Sequence, residues 1–479
     1  MKNVSKYNHV GALWRIWDFH IHTPASYEWK GNSFENATPD EKKTILTKII
    51  KAINNSDASV FVIQDYWTFD GYHEVCNYLN DNPEEKLEKQ ILPGIELRLQ
   101  SPTDYRLNVH GVFSENLSKQ QLDDFKAQLK IVGSNRNLSD EAIKEFARSS
   151  TQAIRKKHGV QNLDLDNEKN ALNFGSKIVE ITIDSFKLAF KELPEETGVI
   201  MMPWDTYNGL EAMDCMNHFA AAKDYFSCPQ IFETRKAEYV SAFKGIETTE
   251  NKKYFSDFHE ALDGELKLPV SGSDAHHESD YGKAHLGKHT WIKAEPCFNG
   301  LLQSIREPVC RSYFGDRPEK LQLIENNPTD FLKKIEIYKT ENSKSNDKWF
   351  DDVCIHLNFD LVAIIGNKGS GKSALADIIA LIGGSSSYKY FSFLKDKRFR
   401  DAKAKWASEF YARGTWNDNR VQQETCLADN PMLSTVQRIK YIPQVYFEEL
   451  CSTDNQESAG RFEKELKHVI FAHVDSSLS

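Results

Sequence analysis

The chain has 479 residues, 40 % of them hydrophobic and 27 % charged, an ordinary globular composition in a chain too long for one domain. A formal net charge of −10 excludes a general nucleic-acid coat and leaves room only for a local basic face. Eight cysteines with no C-x-x-C pair, no signal-peptide core, and no apolar run near the ~20 residues of a membrane span predict a protein of the reducing cytoplasm without a membrane partner.

In chain order, the first predicted strand lies in "RIWDFHIHTPASYEW" (15–29). It carries His20 and His22 two residues apart, and alternation along a strand points both to one side. Further short apolar runs read as buried strands: "SVFVIQD" (59–65), "ILPGIEL" (91–97), "RLNVHGVF" (106–113), "GVIMMPW" (198–204), "PQIFETR" (229–235) and "LPVSGSD" (268–274). Helical patterns separate several of them, the rhythm of a parallel α/β sheet or barrel. Residues ~115–195 exceed a normal connection and read as a helical insertion, with Ser139 as N-cap of "SDEAIKEFARSSTQAIRKKHG". The basic run within it reads as a solvated face, with nucleic-acid contact as the alternative.

Residues 299–328, containing the turn-rich "REPVCRSYFGDRPEKLQ", read as a connector. "TENSKSNDKWF" (340–350) reads as a loop inside the next domain, which spans 329–479. There "KKIEIYK" and "IHLNFDLVAIIG" are predicted strands, and the run "LVAII" leads into "GNKGSGKS" (366–373) and the helix "SALADIIALIGG". This is a complete G-x-x-x-x-G-K-[ST]. Gly366, Asn367, Lys368, Gly369, Ser370 and Gly371 form a loop whose N–H groups can curl around phosphates. Lys372 reaches the β/γ-phosphates and Ser373 can ligate Mg²⁺, so ATP and Mg²⁺ are the expected cofactors.

The stretch "LNFDLVAIIGNKGSGKSAL" resembles the nucleotide-binding head of SMC and related ABC-type ATPases. That resemblance implies that Gln444, in "YIPQVYFEEL", contacts Mg²⁺ and senses the γ-phosphate, and that heads pair into a homodimer or higher oligomer. Such heads also need an apolar run ending in Asp-Glu and a serine-glycine signature segment. Neither follows Gln444 before the closing "FEKELKHVIFAHVDSSLS", so the head is expected to be incomplete, the N-terminal portion of a longer protein.

The ligands that could join the two histidines come later. Glu96 ends "PGIEL", His110 ends "RLNVH", and Asp274 and His276 lie in "GSDAHH". Carboxylates and imidazoles at strand ends of an α/β barrel meet at its C-terminal rim. This order resembles the polymerase-and-histidinol-phosphatase (PHP) family over residues ~14–295. The resemblance implies a distorted (β/α)₇ barrel over residues 1–298 holding divalent ions, Mn²⁺ or Zn²⁺, for phosphoester hydrolysis. Transferred residue by residue, His20, His22, Glu96 and Asp274 hold one ion and carry catalysis. Glu96 and His110 face a second ion, and His276 a third. Two positions depart from the pattern. In "IQDYWTFDG" Asp65 is kept but Tyr66 stands for a ligand histidine, and in "VIMMPWD" Met202 stands for another, a thioether ill-suited to hard ions. One well-held ion, or two, is therefore expected. Glu28 stands where many members carry a further histidine ligand and could partly compensate; His277, Asp205 and Glu233 are further candidates. Arg98 or Arg235 could hold a substrate phosphate, and Trp67 or Trp204 could stack on a base, though each has an ordinary structural reading.

A PHP barrel followed by an SMC-like head resembles bacterial TrlF-type PHP-associated ATPases. That implies an ATP-regulated nuclease acting on DNA or RNA, tRNA included, in anti-phage defence. The alternatives are an ATPase clamp or sensor on a degraded barrel, and a small-molecule phosphatase.

Overall fold

A computed structural model describes residues 10–101, 106–134, 136–206, 209–213, 219–341, 343, 350, 352–401, 403, 406–431 and 437–451. By contact density the chain divides into two units, Ala12–Glu319 and Lys320–Ser479 together with Met1–Gly11.

The first unit is a mixed α/β structure built on nine strands: β1 (Leu13–Ile21), β2 (Val60–Ile63), β3 (Gln90–Leu99), β4 (Leu107–Phe113), β5 (Gly198–Pro203), β6 (Ile231–Glu233), β7 (Leu268–Val270), β8 (His289–Ala294) and β9 (Ser312–Gly315). They form one sheet in the order β7-β6-β5-β4-β3-β2-β1-β8-β9. The sheet curls towards closure, because the segment after β7 returns to the end of β1: Asp274 N donates to His20 O at 2.8 Å and His22 N to Ala275 O at 2.9 Å.

The seven expected strands form, but the sheet is not parallel throughout. β4 runs antiparallel to both β3 and β5, and β8 and β9 are antiparallel as well. Residues 100–106 link β3 to β4, too few for a crossover helix, so the pair must be a hairpin. His110 accordingly lies inside β4 rather than at its end. The region read as a connector, 299–328, instead contains the helix Phe298–Arg306, then β9, then the helix Glu319–Asn326. Its turn-rich composition concealed a four-residue strand that pairs with β8.

Pairing fixes which side chains share a face. Glu96 pairs with His110, and His110 with Met201, so these three lie on the same face. On that enclosed face Trp17, Phe19, Val60, Val62, Leu92, Val112, Met201 and Ile231 pack into an apolar core, which forms the floor beneath the polar groups. Leu97, Val109, Ile200, Met202 and Phe232 pack on the opposite face with Leu122, Phe125 and Phe186 of the insertion. The insertion is helical, with helices at Lys119–Gln128, Asp140–Ser149, Gln152–Lys157, Glu168–Ile178 and Ile183–Lys191. Ser139 caps the second, its side chain accepting from Ala142 N at 3.1 Å. The basic run ends the short third helix, where Lys156 and Lys157 are exposed.

One buried cation of this unit gives a pH prediction. Lys244 donates from Nζ to Ser312 O at 2.5 Å, and burial pushes its ammonium group down to about 8. An unfolded lysine titrates near 10.4, so the unfolded chain holds more protons between about pH 8 and 10.4. Stability contributed at this site should therefore rise with pH across that window. In urea titrations, Lys244→Met should be the more stable form at pH 7 by up to about 3 kcal/mol, and the difference should vanish near pH 10.5. A pH-independent difference would exclude the titration as its cause.

The second unit contains an antiparallel sheet in the order β11-β10-β12-β13, formed by β10 (Leu332–Lys339), β11 (Val353–His356), β12 (Phe410–Trp416) and β13 (Thr425–Cys426). The helix Lys372–Ile382 packs on it through Ile378, Leu381 and Ile382, which join Ile335, Ile337 and Ala412 in one core. Asp377 ties this helix to its surroundings. It accepts from Phe393 N at 2.7 Å, Leu394 N at 3.2 Å and the Tyr441 hydroxyl at 2.8 Å.

Two expectations fail here. The apolar run 361–365 is not a strand, and Leu361 and Ile365 are 90 % and 88 % exposed. A strand needs a neighbour to complete its ladder, and among the described residues none pairs with this run. Gln444 does not end a strand but opens the helix Gln444–Cys451, where its side chain donates to Glu448 at 2.8 Å. The closing segment 462–479 and most of 340–350 lie outside the described residues.

Candidate metal centre

The site is assembled at the end of β1 by a buried scaffold. Asp18 accepts from Ser273 N at 2.8 Å, Ser273 Oγ at 2.6 Å, Gly282 N at 2.9 Å and His20 N at 3.2 Å. Burial nevertheless pushes its carboxyl up from the usual range. Asp65 grips the next turn, taking Thr23 N at 2.7 Å and Thr23 Oγ1 at 2.6 Å, while burial pushes it up to about 7. Gly272 must be glycine, since a Cβ there would stand 2.5 Å from His20 N. The chain then reverses at Asp274, whose φ of 53° lies in the left-handed region and aims its carboxylate back at the two histidines.

Four side chains from three separate segments converge as a result. His20 Nε2 lies 3.1 Å from His22 Nε2 and 3.1 Å from Glu96 Oε2. His22 Nε2 lies 3.4 Å from Glu96 Oε2. Asp274 Oδ1 lies 3.5 Å from His20 Nε2 and 3.6 Å from His22 Nε2. With metal–ligand bonds of about 2.0–2.2 Å, the edges of a tetrahedral donor set are roughly 3.3–3.6 Å. Two imidazoles and two carboxylates at these spacings fit one divalent cation. Asn108 holds the fourth ligand in place, donating to Glu96 Oε1 at 2.6 Å and leaving Oε2 to the histidines.

The electrostatics agree with that use. Burial, helped by the neighbouring His20 and His276, drops His22 to about 3, so its ring is neutral and its nitrogen lone pair is available. Burial disfavours a charged His20, but Asp274, Glu233 and Glu96 outweigh it and raise its pKa well above the usual value. Burial also opposes ionisation of Asp274, yet His20, His22 and His276 hold its carboxyl far below the usual range. A cation entering here displaces the His20 proton.

The remaining sequence candidates separate clearly. His276 joins the site, its ring stacked on His22 at 4.2 Å and its Nε2 3.4 Å from Asp274 Oδ1. Tyr66 stacks on the other neighbour of that group, 5.0 Å from the His22 ring, with the Arg98 guanidinium over its own ring. Arg98 is committed within the protein, donating to Ser176 O at 2.5 Å and to the Tyr27 hydroxyl at 2.7 Å. Met202 lies on the sheet face opposite His110, in the core with Phe232, so no ligand position is available to it. Trp204 is also core, ringed by Phe226, Phe232, Phe243 and Phe258. Trp67 is buried and donates to Ser176 O. Glu28 is exposed. His277 stacks on Trp29, and Asp205 accepts from the Arg235 backbone at 3.0 Å. Asp18, Asn108 and Ser273 were not singled out in the sequence. For Asp18 and Asn108 a cue existed: each precedes a site histidine by two residues.

In the second unit the phosphate-type loop has the backbone its glycines allow. Gly369 and Gly371 adopt φ of 87° and 90°, conformations that L side chains resist. Lys372 Nζ folds over the loop, donating to Gly366 O at 2.7 Å and Asn367 O at 2.9 Å. Ser373 follows on the first turn of the helix Lys372–Ile382.

No protein-family model and no curated protein matches the chain. Among solved structures it is similar to a putative metal-dependent phosphoesterase from Bifidobacterium adolescentis, with 13 % identity over 62 % of this chain and 96 % of that one and a TM-score of 0.29. It is also similar to an amidohydrolase from Chromobacterium violaceum, with 12 % identity over 64 % of this chain and 99 % of that one and a TM-score of 0.31. Likenesses at this level carry no argument about chemistry, and the site stands on its own geometry. Among the described residues no helix is long and apolar enough to cross a membrane.

Proposed function

We propose that the first unit is a divalent-metal-dependent phosphoesterase and that the second binds ATP and regulates it, with nucleic acid as the substrate. The observation that carries the hydrolase reading is the set of four donor atoms, 3.1–3.6 Å apart in the pairs His20–His22, His20–Glu96, His22–Glu96, His20–Asp274 and His22–Asp274. The two imidazoles present neutral nitrogens, and the two carboxylates supply the negative charge that draws a cation into a buried site. When bound, the ion, Mn²⁺ or Zn²⁺, lowers the pKa of a water and offsets charge developing on phosphoryl oxygens. Asp18 and Asp65 keep the donors fixed through the reaction. His276, half-buried at the mouth and in contact with Asp274, is placed to hold the proton that a leaving oxygen requires. Nucleic acid as substrate, pairing of the ATPase heads and a place in anti-phage defence come from the likeness of the sequence to TrlF-type proteins.

The experiment pairs metal analysis with hydrolysis of a phosphodiester and a phosphomonoester reporter, followed by tRNA, single-stranded and duplex substrates. Metal-dependent cleavage of the diester and of at least one nucleic acid is expected. Cleavage of the monoester alone would favour a small-molecule phosphatase, and a metal-loaded protein inert on all of them would favour a scaffold. For the second unit, Lys372→Ala should weaken ATP binding roughly 10- to 100-fold, the worth of charge-assisted hydrogen bonds to phosphate. Unchanged affinity in calorimetry would remove ATP from the account.

A further inference from the structure

Beside the four donors lie two side chains whose polar atoms have no hydrogen bonds. His110 and Glu233 are both 0 % exposed. Neither ring nitrogen of His110 and neither carboxylate oxygen of Glu233 has a hydrogen-bond partner. The contact given for Glu233 is an ion-pair approach, its Oε2 3.7 Å from His20 Nδ1. Burying a carboxylate and an imidazole in this way costs several kcal/mol unless something takes up their lone pairs.

Their placement is not accidental packing. His110 lies on the enclosed face of β4. Glu233 closes β6, two residues after Ile231, so the two share that strand's inward face. Across the intervening β5, their ligand atoms come within 4.8 Å of each other and of a ligand atom of His20. A water could hydrogen-bond to both, but it would leave the carboxylate's charge in an apolar surround, whereas a cation satisfies both lone pairs and the charge.

We propose that His110 and Glu233 form a second divalent-cation site next to the first. The proposal rests on the metal reading above and adds a ligand from a strand that the sequence resemblance does not use. It also explains how a second ion could be held when Met202 lies on the wrong face. One imidazole and one hard carboxylate suit Mn²⁺, Fe²⁺ or Zn²⁺ rather than a soft ion.

The test is a Mn²⁺ titration of the full chain without nucleotide, read by calorimetry and by electron paramagnetic resonance. The wild type should take up two ions per chain with a spin-coupled signal. Glu233→Gln and His110→Asn should each take up one, with the hyperfine pattern of a lone Mn²⁺. In EDTA, Glu233→Gln should melt at or above the wild-type temperature, because a buried charge is gone, which separates loss of the ion from loss of the fold. One ion in both wild type and Glu233→Gln, or two in both, overturns the second site and leaves the first standing. No uptake by the wild type overturns both.

Discussion

His22→Ala should lose the bound cation and with it phosphodiester cleavage, by roughly a thousandfold or more, since metal stabilisation of the transition state is worth several kcal/mol. The same change should leave the fold intact. The His22 backbone stays tied by its N–H to Ala275 O and by its carbonyl to the Tyr281 hydroxyl at 2.7 Å, and neither contact uses the ring. His20→Ala should lose the ion as completely. Removing either ring also relieves the crowding of positive and negative groups, so melting in EDTA should change little. Metal content by mass spectrometry, cleavage of a diester reporter and a melting curve together check the prediction. Retained metal with lost cleavage would show that the histidines act on substrate rather than on an ion.

The second large effect is expected from a residue that touches no ion. Asp18→Ala leaves Ser273 N, Gly282 N and His20 N without their acceptor in a buried setting. An unsatisfied buried donor costs about 1–3 kcal/mol, so the loss should be about 3–5 kcal/mol, which lowers the melting temperature of a unit this size by roughly 10 °C. Asp18→Asn should do little better, because an amide nitrogen would face the same donors. The change also loosens Ser273, the neighbour of Asp274, so metal affinity should fall roughly 10- to 100-fold, as it does when groups supporting a ligand are removed. A stable Asp18→Ala protein with full metal affinity would mean that the loop 271–275 is held by its other contacts, such as the Thr290 hydroxyl on Ser271.

These effects explain how far the sequence could be read. The strands β1 to β7 were legible because each is a short apolar run bounded by polar or turn residues, and the four donors were legible because each closes or follows such a run. The reversed direction of β4 was written in the short link 100–106, which no crossover could span. β9 was missed because four residues in a turn-rich stretch become a strand only when β8 lies alongside. The run 361–365 erred in the other direction: apolar composition suggested a strand, but a ladder also needs a partner. Asp18 could not be found as the anchor of Asp274 because the two are linked through Ser273, 255 residues away in sequence. Glu233 had no motif around it, and its interest comes from what it lacks, hydrogen bonds in a buried place, which sequence does not report.

The central claim is that His20, His22, Glu96 and Asp274 hold one divalent ion. Anomalous X-ray scattering from Mn²⁺- or Zn²⁺-loaded crystals tests it most directly. The account predicts a peak about 2.0–2.2 Å from both Nε2 atoms and from an oxygen of each carboxylate. A loaded crystal with its peak elsewhere, and the His20 and His22 rings bonded only to each other and to carboxylates, would contradict it.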